Sequence, residues 1–574
     1  MAKLNQAMSD LLRYNAAMLP RKRSSFDKSH SHTTTLDSSW LVPVMWDRVL
    51  PGDEKKIRYS GLARMTTPIH PVMDQANLDV WCFFVPDRLT WEHAKQFYGE
   101  NLDASFNPDG MYRMPSVSYK DYAFEDRKSA NYGPDTVVGQ KCLGALSDYF
   151  GLPSKGYATT AAAAALTDAS TDINALLYRG YHLIWNEWFR NSSIQDAVQL
   201  NTGDTVTSQE SNYIFALRKV CKYPDYFTTL LHQPQAGADV LLPLGEWAPV
   251  VTRNDTAATG VQPALDFANA NTGNNFTAGV LGVGQTGAAG VGGSYPSSVQ
   301  PAYPTNLWTD LTNATSSTIN NIRAAVTVQH LLEVDAMAGK RYQQILQAHF
   351  GVFTPDATLQ RPELLGASRT PIGMRQVLQT SATGTTGTPQ GNTAAFSLTS
   401  VSNEWICNKA FTEPGFIYVM AAIRPVHSYS QGIDPLLLKL DRYDHYWPVF
   451  DNLGNQPVYQ KNIYASLTTG TPDLEALNSV FGYQEAWTEY KIKQNRVSGL
   501  MRPDIPNNLS SWNYADVFSG DEILLDSDFV SETDTNIKRT LANQKEPQFI
   551  LDNYFEYIDI KNMSVHSVPG VTKL

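Results

Sequence analysis

The sequence predicts a mainly β protein, a single antiparallel sandwich whose loops are greatly enlarged and carry helices. Three observations point there. Segments rich in Val, Ile, Thr and aromatics cluster at both ends of the chain, within residues 40–86 and again from 396 to 560, with helical patterns and loops between them; that order suits one sandwich better than separate domains. Val80-Trp-Cys-Phe-Phe-Val85 is apolar on both faces, as a strand lying between two layers must be. Third, Tyr181-His-Leu-Ile-Trp-Asn-Glu-Trp-Phe-Arg190 winds as a helix with Leu177, Tyr178, Tyr181, Ile184, Trp185, Trp188 and Phe189 on one face. Arg179, Asn186 and Arg190 fall opposite. Each large side chain buried is worth roughly 1.5–3 kcal/mol, so a large surface must pack on this helix.

The 574 residues are 42% hydrophobic and only 18% charged, against about 25% charged in typical soluble domains. Asn, Gln, Ser and Thr fill the deficit, giving a surface that is easily desolvated against partners. The net charge of −11 excludes a generic nucleic-acid binder, so any such contact must be local. Cys82, Cys142, Cys221 and Cys407 are far apart and form no CxxC pair, which predicts free thiols in a reducing compartment. No charged-then-apolar leader opens the chain and no apolar run is long enough to span a bilayer; neither conventional export nor membrane insertion is expected.

Taken in order, residues 1–39 read as a basic arm. Residues 1–18 suit a short amphipathic helix that Pro20 interrupts. Residues 1–30 hold six basic and two acidic side chains, +4, which leaves −15 for the rest. Arg21, Lys22, Arg23 and Lys28 alternate with Tyr14, Phe26, His30 and His32, a mixture suited to neutralising phosphates and stacking on bases of single strands. A solvated tail, or an arm paired with acidic neighbours, is the plainer reading. Residues 40–253 form the first part of the core. Strands are expected at Trp40–Leu50, Lys56–Thr67 and Ala76–Pro86, then one helix at Arg88–Tyr98 stopped by Gly99. Residues 100–170 look irregular, with a helical turn at Ala161–Ala165. The anchor helix runs over Thr171–Arg190, and Tyr213–Lys222 suits a short helix whose Arg218, Lys219 and Lys222 form a solvated or inter-subunit face.

Residues 254–320 change character. No Lys or Arg lies between Arg253 and Arg323, and Gly, Ala, Thr, Asn and Ser dominate. So long a loop implies an exposed functional insertion, the alternative being a passive spacer. Gly282, Gly284 and Gly287 match G-x-G-x-x-G but lack a flanking strand, helix and βαβ context; with Gly292 they read as loop composition. Residues 321–574 complete the core: Ile319–Phe350 helical with a break near Gly339, a Gly/Thr loop at 380–395, then strands at Phe396–Val401, Pro414–Val426, Tyr446–Phe450 and Phe549–Ile560. The acidic run from Asp521 to Asp534 lacks the spacing and glycine of a calcium loop. There is no P-loop, H-E-x-x-H or G-x-S-x-G; His30-Ser-His32 offers only two ligands, and no carboxylate pair stands out. No catalytic residue, metal site or cofactor is predicted.

The fragments Thr67-Pro-Ile-His-Pro-Val-Met-Asp74, Tyr181-His-Leu-Ile-Trp-Asn-Glu-Trp-Phe-Arg190, His349-Phe-Gly-Val352, Arg442-Tyr-Asp444, Tyr446-Trp-Pro448 and Phe481-Gly-Tyr-Gln-Glu485 occur in this order along nearly the whole chain. As an ordered set they resemble the major capsid proteins of microviruses, the small icosahedral single-stranded-DNA bacteriophages, and their gokushovirus-like branch. The resemblance implies an eight-stranded antiparallel jelly roll and a structural function: self-assembly of identical copies into a T=1 shell around a circular single-stranded DNA genome. It implies a virion protein made in the bacterial cytoplasm, with residues 254–320 as a surface protrusion near the threefold axes used in host attachment. Expected partners are other copies, genomic DNA, a small basic DNA-packaging protein, minor virion proteins and a host cell-surface receptor. The competing reading is a β-sandwich carbohydrate-binding or polysaccharide-active protein, which 12 Trp and 28 Tyr keep open.

Overall fold

The computed structural model describes residues 23–100, 112–118, 144–152, 172–207, most of 210–240, short paired segments within 250–309, and 319–378, 393–465, 477–520 and 523–566. Nine strands form one continuous antiparallel ladder: β1 (Ser24–Asp27), β2 (His30–Leu36), β3 (Val42–Val49), β4 (Glu54–Met65), β5 (Ala76–Pro86), β6 (Glu363–Leu378), β7 (Thr393–Ala410), β8 (Gly415–Pro425) and β9 (Phe549–Lys561). The order is β1-β9-β4-β7-β6-β5-β8-β3, with β2 also on β9.

Two long strands organise the ladder. The far ends of β6 and β7 pair with each other from Gly373↔Thr399 onward. Their near ends diverge: β6 runs along β5 from Glu363↔Phe84, while β7 runs along β4 to Ala410↔Glu54. The result is two sheets, β1/β2-β9-β4-β7 and β6-β5-β8-β3, joined at the β6–β7 hairpin. Ile57, Tyr59, Leu551 and Phe555 from the first share one apolar cluster with Val44, Leu78, Val80, Val419 and Ile423 from the second, the interior of a sandwich. The alternation of β9, buried at every second residue from Phe549 to Lys561, is that of a strand with one wet face.

Among the described residues the ladder holds nine strand segments, β1 and β2 being successive pieces lying along the two ends of β9. Much of the stretch read as an arm is thus sheet: the β-branched run Thr33–Thr35 is a sufficient signal in itself. β3, β4, β5, β8 and β9 fall where the sequence places them. Tyr446–Phe450 does not form a strand; Pro448, with no N–H to give a ladder, opens a 3₁₀ turn at Pro448–Phe450.

The helices needed more correction. Arg88–Tyr98 is two single turns, Asp87–Thr90 and Ala94–Phe97, separated by Trp91 in extended conformation. That break sends the indole into the core, fully buried, with its N–H 2.7 Å from Asp204. Tyr213–Lys222 is not helical. Lys219 and Cys221 make isolated bridges to Trp40 and Ser531, so tertiary pairing overrides the local pattern. The break at Gly339 is present: α2 (Ile319–Ala338) and α3 (Tyr342–Phe350) flank it at φ +88°.

The chain divides into two compact units, one of residues 235–335 and one of the remainder. Inside the smaller unit the low-complexity stretch is not structureless. Val250–Thr252 pairs with Leu307–Thr309, Phe267–Asn269 with Ala302–Pro304, and Val280–Val283 with Ala289–Gly292, three nested antiparallel ladders. The runs are only three or four residues long and carry no clear alternation, so period-2 reasoning passes over them.

Candidate functional site

The anchor helix is the centre of the second apolar cluster. α1 (Leu176–Ile184) starts five residues later than the sequence suggested, after a short strand Asp172–Asn174 that pairs with Ser116–Ser118; the Asn174 carboxamide accepts the Leu176 N–H at 2.8 Å. From Trp185 to Phe189 the helix widens to a π turn, closed by the Arg190 N–H on the Trp185 carbonyl at 3.0 Å. The extra residue rotates the last turn. It brings Trp188 to 5.6 Å from Phe83 and Phe189 to 4.8 Å from Trp81, ring centre to centre.

α1 lies on the outer face of β5 and β8, which is why β5 is apolar on both sides. The Tyr181 hydroxyl donates to the Leu41 carbonyl at 2.8 Å, the Tyr418 hydroxyl to the Leu177 carbonyl at 2.9 Å, and the Trp185 indole to the Lys219 carbonyl at 2.8 Å. Gly180 permits this approach: a Cβ there would sit 2.1 Å from the Tyr418 hydroxyl oxygen. Tyr181, Ile184 and Trp185 are buried, and Trp188 and Phe189 half-buried.

The opposite, polar face is covered as well. Arg179 is only 1% exposed. Its Nε and Nη2 donate to Glu210 at 2.7 and 3.1 Å, and Nη1 donates to the Gly203 and Thr90 carbonyls. Asn186 is buried too, exchanging hydrogen bonds with the Val198 backbone. His182 is fully buried, and burial together with the Arg218 charge pushes its pKa down to about 3, so it stays neutral. Lys222, expected on a solvated or inter-subunit face, is buried and bonds Asp516 at 3.2 Å. Arg218 and Lys219 lie over the Trp185 and Trp40 rings.

Of the predicted arm cations, Arg21 and Lys22 lie outside the described residues. Arg23 donates to the Gly52 carbonyl and approaches Glu54 at 3.9 Å. Lys28 is built into a charge cluster. It lies 2.7 Å from Asp47 and 3.1 Å from Asp559. The buried Lys55 contacts the same two carboxylates at 2.6 and 3.2 Å, and Lys561 joins Asp559 to Asp53. Burial alone would raise the Asp47 pKa; Lys55, Lys28 and the Tyr557 hydroxyl overcome that and hold it at about 2. The cluster clamps β1 and β2 to β3, β4 and β9. His30 stacks on Phe555 and His32 bonds the Val44 carbonyl, so both rings of the His-Ser-His triplet are employed in packing.

In the insertion, Gly282 stands opposite Gly290 and Gly292 opposite Val280 in the innermost ladder; Gly284 and Gly287 lie outside the described residues. Ala161–Ala165 and most of the 380–395 loop are also outside them. Cys82, Cys221 and Cys407 are free thiols. Among the described residues no three His, Cys, Asp or Glu side chains are grouped to hold a metal, and no helix is long and apolar enough to cross a membrane.

Two features escaped the sequence. The first is a buried charged triad: His427 Nδ1 lies 2.9 Å from Asp516 and Nε2 2.9 Å from Glu532. Its members are 89 and 105 residues apart in the chain, so no local spacing could show it. Part of the acidic run serves structure here, with Glu532 in the triad and Asp526 capping Ser527–Val530. The second is an aromatic cleft of about 370 Å³ lined by Tyr226, Tyr443, Tyr459 and Trp487. Lys439 Nζ sits 4.8 Å from the Trp487 ring centre and pairs with Glu489 at 2.6 Å, covering a ring face that a sugar would stack on.

Comparison with known proteins gives a consistent result. A family model described as "Capsid protein (F protein)" matches residues 17–571. Capsid protein VP1 of Spiroplasma virus 4 is 34% identical over 591 aligned positions, covering 100% of this chain and 99% of the relative. Capsid protein VP1 of Chlamydia phage 1 is 33% identical, covering 96% of each chain, and that of Bdellovibrio phage phiMH2K is 32% identical, covering 96% and 95%.

Proposed function

The chain belongs to the capsid protein (F protein) family, a structural protein of the microvirus virion, and on that premise we propose that its identical copies close into a T=1 icosahedral shell around a circular single-stranded DNA genome. The observation that carries this reading is the match to capsid proteins over 96–100% of the chain. The chain acts as a tile, without catalysis. Closure of a shell needs heterologous contacts that satisfy its symmetry, and many weak contacts sum cooperatively. The nested ladders around Gly282 and Gly292, with Gly284 and Gly287, form the surface protrusion and serve host attachment. The N-terminal arm faces the interior, where Arg21, Lys22 and Arg23 meet the genome while Lys28 roots the arm in the sheet. A small basic packaging protein and minor virion proteins complete the particle, and a host receptor meets the protrusion.

The purified chain is expected to elute from size exclusion as hollow particles, visible by negative stain. A stable monomer under all assembly conditions defeats the proposal. Replacing Arg21, Lys22 and Arg23 by alanine should lower the slope of log affinity against log salt for single-stranded DNA by about 2, at roughly 0.7 per phosphate neutralised. An unchanged slope removes the arm from the DNA contacts.

A further inference from the structure

We propose that the surface formed by residues 433–453 is a docking site for a second copy of this chain; the inference rests on the shell reading above and names a contact within it. In this segment apolar side chains face outward. Leu437, Tyr443, Leu440 and Val449 are 70, 73, 87 and 89% exposed, and Trp447 and Leu453 are about half exposed. At about 200 Å² for each aromatic side chain and about 100 Å² for each aliphatic one, the exposed surface from Ile433 to Leu453 comes to roughly 650 Å², within the range of about 600–1,000 Å² that each partner contributes to a standard protein interface. Monomers rarely leave so large an apolar patch in water.

The surface is held in shape before any partner arrives. Asp434 caps the 3₁₀ turn Pro435–Leu438 through the Leu436 N–H at 2.9 Å, and Asp444 accepts the Leu440 and Asp441 N–H groups at 3.1 and 2.9 Å. The Trp487 indole donates to the Phe450 carbonyl at 2.9 Å from beneath, and that of Trp447 donates to the Arg442 carbonyl at 3.0 Å. A platform already ordered loses little entropy on binding.

Its charges are satisfied internally. Lys439 pairs with Glu489, Asp434 with Lys493 and Arg496 at 3.3 Å each, and Arg442 lies 5.0 Å over the Trp447 ring. Within 433–453 the cations Lys439 and Arg442 are outnumbered by Asp434, Asp441, Asp444 and Asp451, which disfavours a phosphate backbone, so the matching surface is apolar protein. The chain itself supplies such surfaces. α3 has no buried residue, and Tyr342, Phe350, Val352 and Phe353 around it are 67, 73, 55 and 70% exposed.

The test compares wild-type chain with L440E, V449E and the conservative V449I, assembled from purified protein with nothing else present. Both glutamate variants are expected to keep the wild-type circular dichroism and melting curve, because their side chains are already in water, yet to lower particle yield roughly tenfold or more, as loss of an interface anchor does. V449I should assemble normally. In a second arm, V449C is labelled with a maleimide; the thiol should react readily in the unassembled chain and become protected in particles. Wild-type particles together with normal assembly of L440E and V449E, or with a V449C thiol that stays reactive, overturn the docking surface and leave the shell reading standing. A wild-type chain that never assembles sinks both.

Discussion

Replacing His427 by leucine is expected to destabilise the fold by about 3–5 kcal/mol, the usual effect of removing one partner from a buried ionic group. The imidazole bridges Asp516 and Glu532, and all three groups are buried. Without it two carboxylates face each other in the interior, with Lys222 near Asp516 as partial compensation. The triad also predicts a pH signature. Burial alone would lower the His427 pKa, but the Asp516 and Glu532 charges outweigh it and push it up to about 10. A base whose folded pKa lies above its unfolded value of about 6.5 stabilises fully below pH 6.5 and loses that contribution as pH rises toward 10. Asp516 is shifted the other way: burial opposes ionisation, yet His427 and Lys222 hold its pKa far below the ordinary carboxylate value. Its contribution is present above about pH 4 and is lost as pH falls further. Thermal melting from pH 6 to 10 should therefore show a declining alkaline limb in the wild type that H427L lacks. Parallel curves for the two proteins would refute the assignment.

Substituting Arg179 by methionine should have a comparable effect, about 3–5 kcal/mol. The guanidinium ties α1 to Glu210 and to the carbonyls of Thr90 and Gly203 in a site closed to water. Methionine fills part of the volume but takes the guanidinium from the Glu210 carboxylate, leaving it only Asn201, and leaves the Thr90 and Gly203 carbonyls without their donor. The double variant R179M/E210L is expected to recover a good part of the loss, since two apolar residues need no hydrogen bonds there. Denaturant midpoints for the wild type, both single variants and the double variant make the cycle. Additive losses would mean that the pair is not coupled and that Arg179 acts through packing alone.

These two sites show where sequence reasoning runs out. The aromatic face of α1 was legible because apolar residues recur at helical spacing, and it packs on β5 and β8 as such a face must. The burial of its polar face was not legible. Arg179 and Asn186 have the composition of a wet surface, and only the loop carrying Val198, Gly203 and Glu210 folds over to cover them. The continuation of Arg88–Tyr98 as one helix failed for a related reason: burying Trp91 gains more than one further helical turn would. Lys28 was legible as a cation but not as a partner of Asp47 and Asp559, which lie 19 and 531 positions away.

What the sequence determined by itself is therefore the local and periodic part: the sandwich strands with alternating or doubly apolar patterns, the aromatic anchor, the hinge at Gly339, and, through the ordered motifs, the capsid family. Tertiary structure decided the rest. It laid two pieces of the stretch read as an arm, β1 and β2, along β9, widened the end of α1 into a π turn, nested the low-complexity insertion into three ladders, and brought His427, Asp516 and Glu532 together. The physical reason is range. Periodicity reports which side of an element is apolar, an interaction over a few residues, whereas the partner of a buried charge is chosen by chain crossings tens to hundreds of residues apart and by the demand that no ion stay unpaired away from water.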